Sequence, residues 1–314
     1  MKKILVTGSI AYDTIMVFPD RFKNHLLADQ LHILNVCFLT PEMRREYGGT
    51  AGNIGYSLRL LGEDPLVMAT VGEDIGPYLE RLAKLEIGAQ LLRRIPGQFT
   101  AQAFITTDLD DNQITAFHPG AMNHSHENHV RAELGAGIAI IGPDGKQGML
   151  QHARECAALG VPFLFDPGQG LPMFSAEEIE EFLREADYVA VNDYEGKLLE
   201  EKTGKSLEQL AHGVKALVCT LGAKGSLIMA GSQRLEIPSV KAAGVVDPTG
   251  CGDAYRAGLL YGIARGWDWA ATGRLGALLG AIKIAHRGAQ NHPLVRDEIE
   301  SQFHRAFGYS PWKG

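Results

Sequence analysis

The chain has 314 residues, 45% hydrophobic and 21% charged, with 37 glycines and 14 prolines, a balance that excludes a disordered chain, a collagen-like repeat and a coiled coil. Lys and Arg number 30 against 37 Asp and Glu, for a formal charge of −7, and no segment carries a dense basic run, so nucleic acid is not an expected partner. The apolar stretch Ile4, Leu5, Val6 is too short for a signal segment, and no run approaches the roughly 18 apolar residues of a membrane span, so no membrane association is expected either.

Residues 2 to 7 form a short apolar run ending at Gly8, the pattern of a buried first strand feeding a loop. Residues 15 to 47 and 99 to 118 read as extended. In the second stretch, 100–106 and 113–117 flank the turn formers Asp108, Asp110, Asp111 and Asn112, which predicts a hairpin. Alternation places Gln102 and Phe104 on one face and Ala101, Ala103 and Ile105 on the other. An aromatic among polar neighbours suits a small polar aromatic ligand, or is simply part-covered by those neighbours.

Further along, 162–165, 188–191 and 216–220 are apolar runs separated by helical periodicity, the rhythm of βαβ units. Ser175 with Glu178 three residues on is a capping box, and Ile179, Phe182, Leu183 and Ala186 follow at helical spacing. Strands apolar throughout need cover on both faces. The predicted fold is therefore α/β: a doubly wound, mainly parallel central sheet flanked by helices over residues 1–314 as one domain, with a small β-sheet lid from about 15–47 and 99–118. The tail after Gly308 reads as peripheral.

Cys37, Cys156, Cys219 and Cys251 are scattered without a C-x-x-C pair, which suits reduced thiols and a cytoplasmic setting. His118, His124, His126 and His129 cluster locally, but their spacing matches no standard zinc pattern. The intervening Asn123, Ser125, Glu127 and Asn128 read as a solvated loop.

The chemistry concentrates at Asp247-Pro248-Thr249-Gly250-Cys251-Gly252-Asp253, followed by a run to Ile263 that is apolar nearly all round. This is a tight turn opening a buried helix. Gly250 and Gly252 remove side chains where the loop meets the helix, so main-chain N–H groups and the helix dipole make an anion cradle. No lysine lies in the segment, so the positive potential is expected from those dipoles and a bound metal. Asp253, in the first turn, is placed to accept the proton of an attacking hydroxyl, although an acid there also favours the helix by about 0.3–1 kcal/mol whatever its function. Cys251 reads as a small filler, with the helix end able to lower its pKa. Neither a P-loop lysine motif nor a G-x-G-x-x-G fingerprint is present, which disfavours a dinucleotide oxidoreductase.

Gly48-Gly49-Thr50-Ala51-Gly52-Asn53 and Asp247-Pro248-Thr249-Gly250-Cys251-Gly252-Asp253, in this order and separation, resemble the two signatures of the PfkB (ribokinase-like) carbohydrate and nucleoside kinases. Gly8-Ser9-Ile10-Ala11-Tyr12-Asp13, Asn192-Asp193-Tyr194-Glu195 and Thr220-Leu221-Gly222 with Gly225 extend the similarity over almost the whole chain. The resemblance implies Asp253 as catalytic base and Gly250, Cys251 and Gly252 as anion hole. Asn192 and Glu195 would organise Mg²⁺ through water, and Thr220, Gly222 and Gly225 the ATP side. Ser9, Asp13, Gly48, Gly49 and Asn53 would face the substrate.

It also implies a monovalent cation, K⁺, at Asp247 with carbonyls around Ala285 and Gly288; alternatively Asp247-Pro248 simply fixes the turn. Thr106-Thr107-Asp108, the run from Gln113 to Met122, and Ile284-Ala285-His286-Arg287-Gly288 are more similar to the bacterial adenosine-kinase-type branch than to ribokinases or fructokinases. Phe104 and Phe117 would stack on a purine or serve as lid core. The expected activity is transfer of the γ-phosphoryl of ATP to the 5′-hydroxyl of adenosine, a small-molecule substrate. A sugar kinase of the same family and a ligand-binding regulator without turnover stand as alternatives. A homodimer through the lid is the expected protein partner, because an exposed sheet edge invites cover.

Overall fold

The computed structural model describes residues 3–26, 35–110, 112–293 and 295–313. Lys2 of the expected first strand, residues 27–34 of the expected lid and Asp111 of the expected turn lie outside the described residues. The strands are β1 (Lys3–Thr7), β2 (Ala11–Val17), β3 (Glu42–Gly48), β4 (Leu66–Val71), β5 (Leu92–Arg94), β6 (Ala101–Thr107), β7 (Gln113–His118), β8 (Ala136–Ile141), β9 (Phe163–Phe165), β10 (Tyr188–Asn192), β11 (Ala216–Thr220), β12 (Ser226–Ala230) and β13 (Gln233–Ile237). The helices are α1 (Thr50–Leu60), α2 (Gly76–Lys84), α3 (Lys146–Leu159), α4 (Ala176–Glu185), α5 (Asp193–Thr203), α6 (Leu207–Ala211), α7 (Cys251–Ala264), α8 (Trp269–Ile284) and α9 (Arg296–Phe307).

A nine-stranded sheet runs β13-β12-β11-β10-β9-β8-β1-β4-β5. Its strands pair in parallel from β11 to β5, and β12 and β13 close one edge antiparallel. Alternation along β1 shows why both faces are covered. Ile4 and Val6 enter a core with Ile54, Val67 and Leu260, while Leu5 enters a second core with Ile141, Phe163 and Phe182 on the other side. The predicted capping box on α4 is formed by Ser175 and Glu178. The Phe182 face of that helix stacks its ring on Phe165 at 4.2 Å between centroids. The doubly wound architecture expected from apolar strand runs is the one observed.

A second, four-stranded sheet runs β3-β2-β6-β7. The expected hairpin is β6 and β7, paired antiparallel from Gln102 with His118 to Thr107 with Gln113. The stretch from 15 to 47 is not extended throughout. After β2 the chain makes a single helical turn at Phe22–Asn24, and Phe18, Phe22 and Phe38 pack together with ring centroids 4.8 to 5.8 Å apart. Three aromatics that can bury against one another outweigh extended propensity there.

Two further expectations are corrected. The tail after Gly308 is docked: the Trp312 indole donates to Tyr261 Oη at 2.7 Å and meets Trp267 edge-on at 5.0 Å. The histidine segment is a 3₁₀ helix over Gly120–Glu127 that buries Ser125, and the Asn128 amide donates to Leu91 O at 2.8 Å. His124 and His129 face Glu127 and Glu155 at 3.0 and 2.7 Å. Among the described residues no helix is long and apolar enough to cross a membrane.

Candidate active site

The 247–253 segment folds as the turn and helix start that its glycines suggest. Val246 and Asp247 N–H groups donate to Ile284 O at the end of α8 (2.8 and 3.1 Å), which moors the turn. Gly250 has φ +79°, and a Cβ there would stand 2.7 Å from the Ala289 side chain, so glycine is required. α7 opens at Cys251, and its first-turn N–H groups have no intrahelical acceptors to use. Gly252 is exposed, and a Cβ on it would meet only Arg256 Nη1, at 3.8 Å. The main chain here is free of bulky side chains at a positive helix end, with Cys251 N–H bonded back to Pro248 O at 3.2 Å. Burial pushes the Cys251 thiol up to about 11, offset in part by Lys283.

Asp253 is reached from α1. Asn53 Nδ2 donates to Asp253 Oδ2 at 2.8 Å, and Gln290 Nε2 donates to Asn53 Oδ1 at 3.0 Å, fixing which end of the amide faces the acid. Gln290 also bonds Tyr78 Oη at 2.6 Å, and Tyr78 donates to Gly48 O at 2.8 Å. The amide expected at substrate hydroxyls thus also orients the acid. Gln290 and Tyr78 were not anticipated, since a lone Gln and a helix-face Tyr carry no sequence signal. Burial raises Asp253 to about 6; the Asn53 bond opposes this, Asp166 and Asp13 add to it, and Arg256 lowers it.

Asp13 lies on β2 beside the same corner. Its Oδ2 stands 2.6 Å from where a Gly48 Cβ would be, so Gly48 makes room for the carboxylate. Burial, then the charges of Asp247 and Glu46, raise Asp13 to about 6. Gly49 (φ +85°) brings its Cα against Ser9 O and Ala11 N, where a Cβ would approach to 2.5 and 2.6 Å. Ser9 does not match the expected substrate role. Its hydroxyl accepts from Thr50 N at 3.1 Å and pairs with Thr50 Oγ1 at 3.3 Å, securing the start of α1.

Register separates the two phenylalanines. Ala103 pairs with both Asp13 and Phe117, whereas Phe104 pairs with Thr14 and Ala116. Residues in register share a face, so Phe117 shares the face of Asp13 and Phe104 points the other way. On Phe104's side Gln102 is spent on Asp74 Oδ2 at 3.0 Å. The expectation that both rings stack on one base is corrected. The alternation of β6 was read properly, but a single strand does not reveal which face meets the site.

Asn192 and Glu195 form a closed cap at the start of α5: Asn192 N and Nδ2 donate to Glu195 at 2.8 and 2.7 Å, and Glu195 N donates back to Asn192 Oδ1 at 2.8 Å. Beneath them lies Arg256, 4% exposed on α7, its guanidinium bonded twice to Asp166 at 3.2 Å and 3.8 Å from Glu195 Oε2. Burial raises Glu195, with Asp166 adding and Arg256 opposing. A buried cation under the cradle was not foreseen; its signal was an arginine three residues after Asp253 in an otherwise apolar helix. Among the described residues no group of three His, Cys, Asp or Glu is placed to hold a metal. One carboxylate with water and phosphate oxygens is a donor set that suits Mg²⁺, and Glu195, whose two oxygens already accept from Asn192, would hold the ion through water.

Thr220 ends β11, and the turn after it runs through Gly222 and Gly225, both at positive φ. Ser239 Oγ ties this turn to the next segment through Ala223 O at 2.7 Å. Alongside runs a groove of about 800 Å³ lined by Val240, Ala243, Leu278, Ala281, Ile282 and Ala285, which the sequence reading did not name.

A helix N-terminus, a partly buried acid beside it and a second acid on a facing sheet are groups suited to moving a phosphoryl group onto an alcohol. The chain belongs to the pfkB family of carbohydrate kinases, whose pattern matches residues 1–296. It is 30% identical over 95% of its length to a nucleoside kinase of Methanocaldococcus jannaschii, covering 96% of that protein. It is 52% identical to a nucleoside kinase of Burkholderia thailandensis whose structure is in complex with inosine, covering 98% of this chain and 99% of the other with a TM-score of 0.88. A structure of the M. jannaschii nucleoside kinase aligns over 97% of this chain and 99% of its own at TM-score 0.89 and 29% identity. The fold is ribokinase-like, and the protein is a kinase with an alcohol group as acceptor.

Proposed function

We propose that the protein transfers the γ-phosphoryl of ATP to the 5′-hydroxyl of a purine nucleoside, with adenosine and inosine the first acceptors to test. The observation that carries this is Asp253, partly buried in the first turn of α7, held by Asn53 at 2.8 Å and adjoining the glycine-flanked main chain of 250–252. In its ionised form it takes the hydroxyl proton as the oxygen attacks, and the first-turn N–H groups bond the equatorial phosphate oxygens. Asp13, with the backbone of Gly48 and Gly49, receives the ribose hydroxyls, and Phe117 on the same face covers the base. The β3-β2-β6-β7 sheet acts as a lid that excludes water. The turn 220–225 and the neighbouring groove receive the nucleotide. Mg²⁺, when bound near Glu195 and Asn192 through water, supplies neutralisation of the phosphate charge.

Support for a nucleoside over a bare sugar comes from Phe117, 48% exposed on the face of Asp13, since a base gains from aromatic contact what a sugar does not. The B. thailandensis kinase, similar along its length, binds inosine in its crystal structure. Four unpaired cysteines suit a reducing compartment, and the reading places the enzyme in the cytoplasm. The test is ADP release at fixed Mg-ATP with adenosine, inosine, guanosine, ribose and fructose. Saturable release with a purine nucleoside is expected. Release with ribose or fructose alone would transfer the protein to the sugar-kinase branch, and ATP binding without release with any acceptor would favour a regulator.

A further inference from the structure

The expected K⁺ site does not match the residues present. Both Asp247 carboxylate oxygens are engaged, Oδ1 by Thr249 N and Oδ2 by Gly288 N, each at 2.9 Å. Two carbonyls of this corner, those of Asp247 and His286, are turned to a side chain. Lys283, on the last turn of α8, is 0% exposed, and its ammonium donates to Asp247 O at 2.7 Å and to His286 O at 3.1 Å. One carbonyl belongs to the entrance of the anion-hole turn and the other to the loop after α8 that carries Gly288, Ala289 and Gln290. A cation at a helix C-terminus is favoured by the dipole, and a buried ammonium persists only where oxygens receive its hydrogens.

We infer that the Lys283 ammonium is a built-in monovalent cation, a positioning residue that clamps the 247–253 turn to the 285–290 loop and makes external K⁺ unnecessary. The inference rests on the kinase reading of this corner. An ammonium and K⁺ are similar in charge and size and both take carbonyl oxygens, so one can stand for the other, whereas both cannot occupy the same pair of carbonyls. The clamp reaches the acid by a second route, because the 285–290 loop also delivers Gln290 to Asn53 and so to Asp253. Charges facing Lys283 come from Asp247 on the turn and Asp253 on α7, and burial lowers its pKa against them.

The test compares wild type, Lys283→Ala and Lys283→Met in tetramethylammonium buffer with and without KCl or NH₄Cl at constant ionic strength. Two measurements are made: ADP release with a purine nucleoside, and thermal unfolding. Wild type should change less than about twofold with K⁺ in activity and not at all in Tm, since its carbonyls are already satisfied. Lys283→Ala should lose about tenfold or more in kcat in tetramethylammonium, as expected when a buried charge leaves its acceptors unpaired. K⁺ or NH₄⁺ should restore part of that loss and raise the Tm of this variant alone. Lys283→Met, which fills the space with an apolar chain, should be impaired without rescue. A wild type that K⁺ activates several-fold, or a Lys283→Met variant with normal turnover, would overturn the inference. The Tm comparison needs no catalysis. If wild type turned over no acceptor, the kinase reading would fail while a K⁺-specific Tm rise in Lys283→Ala still established the cation mimicry.

Discussion

At the scale of single residues, the site is a set of buried and partly buried charges whose environments push against one another. Asp253 and Asp13 are both raised to about 6 by burial and by neighbouring acids, while Arg256 and the Asn53 amide pull Asp253 back. The proposed function uses both acids as carboxylates, so kcat/KM should fall as pH drops through about 6, with the limb belonging to the coupled pair. A pH–rate profile checks this, and Asp13→Asn should simplify the limb rather than abolish it. Arg256→Gln should move the limb to higher pH, because it removes the cation that favours ionised Asp253. It should also lower stability by about 3–5 kcal/mol, since Asp166 would be left buried without its partner. The sequence singles out Asp253, Asp13, Asn192 and Glu195 as candidates because their motifs are local. It did not show Arg256, Gln290, Tyr78 or Lys283, which act across 90, 237, 30 and 36 positions of chain through folded contacts.

At the scale of elements, the four-stranded sheet has two unlike faces. Asp13, Ala103 and Phe117 share one, and Thr14, Phe104 and Ala116 share the other, where Met43 and Ile114 are also exposed. Phe117→Ala should raise the KM for a purine nucleoside by roughly tenfold, within the 1–3 kcal/mol of an aromatic–base contact. Phe104→Ala should leave that KM near wild type. Equal effects at both positions would contradict the register argument. Strand period made the alternation of β6 readable from sequence, and the unbroken apolar run of β11 marked that strand residue for residue. Which face meets the site depends on β2 lying beside β6, a pairing between segments about 90 residues apart that no local pattern encodes.

For the whole molecule, the parallel sheet and its two cores were readable because fully buried strands leave apolar runs with no alternation to misread. The docked tail was not, since Trp312 reads as terminal until Tyr261 and Trp267 are brought beneath it. The same global packing that buries Asp253 costs stability. Below about pH 4 the acid is protonated folded or unfolded and contributes nothing. Between about 4 and 6 the unfolded chain ionises first, so stability falls as pH rises, and above 6 a constant penalty remains. Asp253→Asn should therefore be more stable than wild type at pH 8, by on the order of 1–3 kcal/mol, with the difference vanishing near pH 4. Denaturant titrations at the two pH values measure it.

The central claim, that Asp253 is the base at an anion hole built from 250–252, meets its most direct test in the turnover of Asp253→Asn with Mg-ATP and a purine nucleoside. A fall in kcat of at least about 10²-fold with ATP affinity nearly unchanged is expected. Near-normal turnover in that variant would contradict it.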